Sequence, residues 1–307
     1  MGEGSIYFLL IMSHRISLLF TLLCSITVYA QETMQVNIGG RTYMVINPEK
    51  DSRPAIFDKD TILDKARIEC IYYHLASDPE INESREEIDI LLIGPKKTQY
   101  KNYDCYRRDS TFSYLNKEKA TKGDIWKIFN HYPKSHSDYI IRDLSTGEME
   151  VHESIVIDHY VYKEPRIDFE WELYDDTLTI CGHLCHQATC FFRGREWTAW
   201  YADDITQSEG PWKFYGLPGL ILQVEDSKRE HIFTSISIRY ANVGNNIIQL
   251  LRDDFKTTRT WLSKAQRNHI INPTATYQSS GIIPKNLDGS DAEFSQRKGF
   301  FNPIEKE

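Results

Sequence analysis

Between Ala66 and Tyr240 the chain repeats one pattern: short runs of alternating apolar and polar residues, roughly ten residues apart, broken by Gly, Pro, Asn or paired Asp. This pattern limits the fold more than any other feature, because a period of two serves a half-buried strand and defeats an amphipathic helix. In Ala66–Leu75 (ARIECIYYHL) it puts Ile68, Cys70 and Tyr72 on one face and Ile71 and Tyr73 on the other. Glu87–Ile93 follows, stopped by Gly94-Pro95, and Thr98–Tyr106 reads as a further strand. Tyr139–Asp143 and Glu148–Ile157 flank Ser145-Thr146-Gly147, a hairpin signal. His159–Lys163, Ile167–Tyr174, Leu178–Cys181, His186–Arg193 and Glu196–Tyr201 continue the series, with Asp175-Asp176 read as a turn. Gly219–Glu225 and His231–Tyr240 pair across Asp226–Glu230. An aromatic content of 12% suits half-buried pleated surfaces. The expected fold is mainly β: an antiparallel curved sheet or barrel-like domain with one or two helices, including a C-terminal helix.

The helices fall at Asn116–Phe129, with Gly123-Asp124 as a cap, and at Asp253–Ile271. In the latter, Phe255, Thr258, Leu262, Ala265 and His269 recur at helical spacing before Asn272-Pro273 ends the run.

The ends read differently from the middle. His14 and Arg15 precede an apolar run, Ile16–Val28, that closes on Val28-Tyr29-Ala30 before Gln31. That is the layout of a signal peptide over residues 1–30, with translation starting at Met1 or Met12 and an uncleaved anchor as the alternative. Residues 31–60 form an N-terminal arm in which Met34–Ile38 and Thr42–Ile46 flank Gly39-Gly40, a further hairpin signal. One β-rich domain is expected over 61–273 and a flexible polar tail over 274–307. A net charge of −8 with no basic run argues against a nucleic-acid partner.

Cysteines supply the densest chemistry. Five follow residue 30: Cys70, Cys105, Cys181, Cys185 and Cys190. Three of them, with His183 and His186, lie within Cys181–Cys190. In an exported chain the first reading is a disulfide plus buried thiols, with Cys185–Cys190 the preferred pair and Cys70–Cys105 next. A soft-metal site or a thiol nucleophile competes with it, although the spacing matches no zinc finger.

The segment Gly210–Asp226 reads GPWKFYGLPGLILQVED. Gly216-Leu217-Pro218-Gly219-Leu220-Ile221 offers no acid, base, nucleophile or ligand, so it is read as structural: a turn feeding a core strand. Trp200, Tyr201, Trp212, Phe214, Tyr215 and Leu217 are the candidate binding residues, forming either an apolar groove or a packed plug at one end of the sheet.

The hexapeptide Gly216–Ile221 resembles the signature of the GLPGLI family of exported envelope proteins of Bacteroidetes-type bacteria. Cys185-His186-Gln187-Ala188, Phe192-Arg193-Gly194-Arg195 and Trp197–Ile205 resemble family elements in the same order, with Ala202 where the family favours Thr. The resemblance implies export and no specific reaction. The function expected is an envelope binding or accessory module, associated with outer-membrane transport, whose partner is an envelope protein, a peptide or a lipid. No catalytic residue, cofactor or metal ligand is assigned. The alternatives are a metal-binding protein using Cys181–Cys190 and a thiol enzyme.

Overall fold

A computed structural model of the chain describes Thr33–Ile38, Arg41–Ile46, and residues 48–57, 59–133, 136–240, 245–280, 290 and 299–306. The expected signal peptide lies outside the described residues. These residues divide into two compact units. One is drawn from Met1–Phe57, Ser110–His131 and Lys285–Asp291, the other from Asp58–Asp109, Tyr132–Pro284 and Ala292–Glu307.

In the first unit, strands β1 (Thr33–Ile38) and β2 (Arg41–Ile46) pair antiparallel from Thr33↔Ile46 to Ile38↔Arg41, matching the expected hairpin. A 3-10 turn at Pro48–Lys50 leads into a chain segment bonded to residues 120–123. A Cβ on Gly123 would stand 2.5 Å from Glu49 O, so this close approach requires glycine.

The second unit contains a twelve-stranded sheet. Its strands are β4 (Ile68–Asp78), β5 (Glu83–Ile93), β6 (Lys97–Asn102), β7 (Tyr139–Asp143), β8 (Met149–Ile155) and β9 (Asp158–Glu164). They continue with β10 (Glu172–Ile180), β11 (His183–Phe192), β12 (Arg195–Ala202), β13 (Leu220–Asp226), β14 (His231–Tyr240) and β16 (Phe255–Lys256). The spatial order is β10-β11-β12-β13-β14-β4-β5-β6-β7-β8-β9-β16. Every pairing is antiparallel except β16 with β9, and the sheet does not close into a barrel. A separate pair, β15 (Asn246–Leu251) with β3 (Lys59–Lys65), covers one face.

Alternation partitions the core as the sequence expects. Ile68, Cys70, Tyr72, Leu91, Ile93 and Tyr100 join the large cluster on one face, which continues into β11–β14. Ile71, Ile90 and Leu92 join Ala66 and Ile247 on the other. Two hairpins turn on Cys181-Gly182 (φ +50° and +85°) and Arg193-Gly194 (+49° and +76°), with positive φ at both central residues. Those backbones match the right-handed twist of the flanking strands, and glycine carries the second position without strain.

The helices are α1 (Tyr103–Ser113), α2 (Lys122–His131), α3 (Arg259–Ile271) and α4 (Pro273–Ser279). α1 overturns the strand expected through Tyr106: Asn102 Oδ1 accepts from Cys105 N at 3.0 Å, an N-cap that stops β6 and starts a helix. α2 starts later than expected, because Thr121 and Asp124 cap each other's backbone N–H groups at 3.1 and 3.2 Å. α3 begins behind Thr258, whose hydroxyl accepts from Trp261 N. The acidic pair Asp175-Asp176 is a bulge within β10, not a turn. Parts of the segment expected as a tail are folded: Pro273–Ser279 is helical, and Gly299–Lys306 is bonded to the sheet unit. Among the described residues, no helix is long and apolar enough to cross a membrane.

The five described cysteines are all free. Cys185 and Cys190 sit on one strand that stays in register with β12 throughout, from Cys185↔Ala202 to Phe192↔Arg195. Five extended residues span about 17 Å, whereas a disulfide needs Cα atoms within about 7 Å, so the expected pairing is corrected. Cys105 lies on α1 rather than on a strand beside Cys70, so the second choice is corrected as well.

Candidate functional site

The large-cluster face of the sheet changes character along β4 and β5. Cys70 and Tyr72 continue as His74, while Ile93 and Leu91 continue backwards as Asp89 and Glu87. Antiparallel register sets His74 against Glu87 and Tyr72 against Asp89, so two carboxyls and an imidazole converge. Their ligating atoms all lie within 4.8 Å of one another. Asp89 accepts from Tyr100 Oη at 2.7 Å and stands 3.8 Å from His74 Nδ1. His74 Nε2 meets His231 Nδ1 at 3.3 Å, and its ring stacks on Phe233 at 3.9 Å. His136 bridges Glu87 and Asp138, each at 3.5 Å.

These groups line a cleft of about 340 Å³. Across it stand Glu153 of β8, Tyr162 of β9, Trp212 and Lys213, with Leu262 and Gln266 of α3. Gln266 Nε2 donates to Glu153 at 2.6 Å. Lys213 Nζ holds Glu164 at 2.7 Å and Glu305 at 3.0 Å. The C-terminal segment forms one wall through Phe300, Asn302 and Ile304. Arg195 fastens it by donating to Asn302 Oδ1 (2.6 Å), Pro303 O (2.9 Å) and Ile304 O (3.0 Å), while also holding Asp226 and Glu230 at 2.8 and 2.7 Å.

Burial tunes the titrating groups here. It pushes the Asp89 carboxyl up to about 7, against the hydrogen bond from Tyr100. It pushes Glu153 up to about 7 with help from the Asp138 charge. It pulls His74 down to about 4, and pulls His231 to about 3 with His74 and Arg195 nearby. Burial opposes the charge of His136, but the Asp138 and Glu87 carboxylates outweigh it and raise its pKa well above the ordinary histidine range. The cleft therefore holds carboxyls that exchange protons near neutrality beside two imidazoles kept neutral, His74 and His231, and one kept charged, His136, and it presents both donors and acceptors.

The residues expected to bind lie mostly elsewhere. Of the six, Trp212 lines the cleft. Phe214 and Leu217 are fully buried, and Tyr201 and Tyr215 nearly so. Phe214 packs against Trp197, Trp212, Phe169 and Phe192 at centroid distances of 4.7 to 6.4 Å. The Tyr215 hydroxyl bonds the backbone of Ile167, its carbonyl accepts from Trp171 Nε1, and Arg142 covers its ring. Trp200 is half-buried on β12. The turn residues close on backbone: Gly216 N donates to Ser208 O, Leu220 N to Ile205 O, Ile221 N to Glu209 O, and Tyr72 Oη to Ile221 O.

The Cys181–Cys190 residues do not converge. Cys181 occupies a hairpin turn and its thiol reaches Ser235; His183 pairs with Asp204 and His186 with Asp203. Burial pushes the Cys185 and Cys190 thiols up to about 11 and 12, away from nucleophilic thiolate. Among the described residues, His74, Glu87 and Asp89 form the one group whose ligand atoms converge in this way. Sequence reasoning missed them. The signal was available, since His74 follows Cys70 and Tyr72 in the alternation and Glu87-Ile88-Asp89 puts two acids on one strand face.

Residues 192–223 match a family described as "Protein of unknown function (Porph_ging)", across the β11–β12 turn, β12 and the Gly216–Ile221 turn. No curated protein matches the chain. Two solved structures of PNGF-II are similar. The one in space group C2 is 13% identical with a TM-score of 0.42, over 64% of this chain and 32% of that one. The one in P21 is 14% identical with a TM-score of 0.41, over 67% of this chain and 34% of that one. The chain thus spans about a third of the length of those structures.

Proposed function

We propose that the chain is an exported cell-envelope binding protein of GLPGLI type, and that it takes a small hydroxyl-bearing ligand in the cleft. The observation that carries this reading is the cleft itself. Its volume of about 340 Å³ lies within the range of small-molecule pockets, with Trp212, Tyr162 and Phe233 as apolar surface. Glu153, Gln266, Lys213 and Asn302 add acceptors and donors that match a hydroxyl-rich molecule better than a lipid chain. Export and GLPGLI membership rest on the residue 1–30 layout and on the motif order in Cys185–Asp226.

Calorimetric titration of the purified protein with a panel of mono- and disaccharides tests it. At least one is expected to bind, and Trp212→Ala is expected to weaken it at least tenfold with little change in Tm. If no sugar binds, or the bound sugar ignores Trp212→Ala, the reading is overturned.

A further inference from the structure

We propose that His74, Glu87 and Asp89 bind a divalent first-row metal ion, zinc or manganese, at the floor of the cleft. The site is built by sheet register. His74 on β4 stands directly opposite Glu87 on β5, and Asp89 lies two residues along the same face. One imidazole nitrogen and two carboxylate oxygens lie within 4.8 Å of one another. Two ligands about 2.0–2.2 Å from a common ion stand at most about 4.4 Å apart, so a small side-chain rotation completes the set. The donors are nitrogen and oxygen without sulfur. That composition suits zinc or manganese, against the all-oxygen sites of calcium and the thiolates that take cuprous copper.

Two further observations point to a cation there. The Asp89 carboxyl lacks a permanent positive partner: among the described residues, the basic group within 4.0 Å of it is the His74 imidazole, whereas Glu87 pairs with His136. The Asp89 side chain is only 5% exposed, and a carboxylate so buried normally pairs with a charge or a metal. The other atoms of the ligands are also held. Tyr100 donates to Asp89, His231 meets the far nitrogen of His74, and His136 braces Glu87. When His74 Nε2 donates to His231, its Nδ1 lone pair faces the Asp89 oxygen across 3.8 Å, two acceptors with room for a shared cation. Three protein ligands leave a coordination position open to the cleft, where water or a ligand hydroxyl completes the shell. The ion needs the cleft but not the sugar proposed for it.

The test is titration of Zn²⁺ or Mn²⁺ into the full chain after chelator treatment, with no organic ligand present. Saturable binding of a single ion per chain is expected. Glu87→Gln and Asp89→Asn are expected to weaken it at least tenfold while leaving the far-UV circular dichroism unchanged. Glu87 is part-exposed, so Glu87→Gln keeps the test valid if Asp89→Asn fails to fold. Cys181→Ser is expected to leave binding unchanged. Absence of saturable binding for both ions, or binding that survives Glu87→Gln and Asp89→Asn but falls with Cys181→Ser, overturns the inference. A failed sugar titration on the metal-free protein leaves this result untouched.

Discussion

At Gly216–Ile221 the side chains serve packing: Leu217, Leu220 and Ile221 are at most 1% exposed, and the backbone of the turn closes on Ser208, Ile205 and Glu209. At His74, Glu87 and Asp89 the same sheet face carries groups that burial disfavours when charged, held by tyrosine and histidine instead of apolar neighbours. The first region is a sharp local motif and the second is three ordinary residues on two strands. Turn geometry is written in consecutive residues, because a turn is a local object. A cluster assembled by cross-strand register has no consecutive form, so its chemistry is diluted across the chain.

The largest expected effect lies in the motif region. Leu222 is fully buried on β13. Leu222→Ala is expected to cost about 2–5 kcal/mol, through lost transfer energy and the cavity left behind. Denaturant unfolding midpoints at constant m-value measure it. Glu153→Gln, which keeps shape and an acceptor for Gln266, is expected to cost far less at pH 7. Equal losses for the two would break the contrast between a packing region and a chemical one.

A smaller effect separates the two motif glycines. Gly219 has an ordinary φ, but a Cβ there would overlap the Ala202 carbonyl oxygen and stand 2.6 Å from its carbon. Both atoms are backbone of the neighbouring strand and cannot swing aside. Gly219→Ala is therefore expected to cost about 1–3 kcal/mol by overpacking. Gly216 has φ +92°, and a Cβ there would meet Trp171 Nε1 at an ordinary 3.9 Å, so Gly216→Ala carries only the left-handed backbone penalty of about 1 kcal/mol. Thermal melts of the two variants side by side check the order. If Gly216→Ala is the worse, the motif is governed by turn conformation and not by close approach.

The same local-versus-distant distinction explains how far the sequence could be read. Strands such as Tyr139–Asp143 and His231–Tyr240 coincide with β7 and β14, because their alternation is contained within each run. Asn102 is a cap inside a Tyr-rich run whose alternation fits a strand, and its bond from Cys105 N turns the chain into α1. Cys185 and Cys190 are close in sequence, but an extended strand keeps their thiols apart in space. At the cleft, the face of His74 was readable and its partner was not. That Glu87 stands opposite it depends on where the β4–β5 hairpin turns, between Asp78 and Glu83.

The last contrast is a pH signature that sets two glutamates against each other. Burial and Asp138 raise the Glu153 pKa from 4.5 to about 7, although Lys213 and Gln266 pull it down. The native state then keeps a proton that the unfolded chain gives up, so the contribution is fully present below pH 4.5 and is lost as pH rises through about 7. Glu230 behaves oppositely. Burial raises its pKa, but hydrogen bonds from Lys306, Arg195 and Asn302 outweigh that and hold it at about 2. Its contribution is present above pH 4.5 and is lost as pH falls toward 2, which loosens the C-terminal wall of the cleft. Glu153→Gln should thus raise Tm relative to the parent at pH 8 and match it at pH 4.5, whereas Glu230→Gln should lower Tm at pH 6 and converge with the parent near pH 2. Parallel melts across this range decide the matter: if both variants lower Tm at pH 8, folding does not disfavour the Glu153 carboxylate, and the cleft lacks a carboxyl that titrates near neutrality at that position.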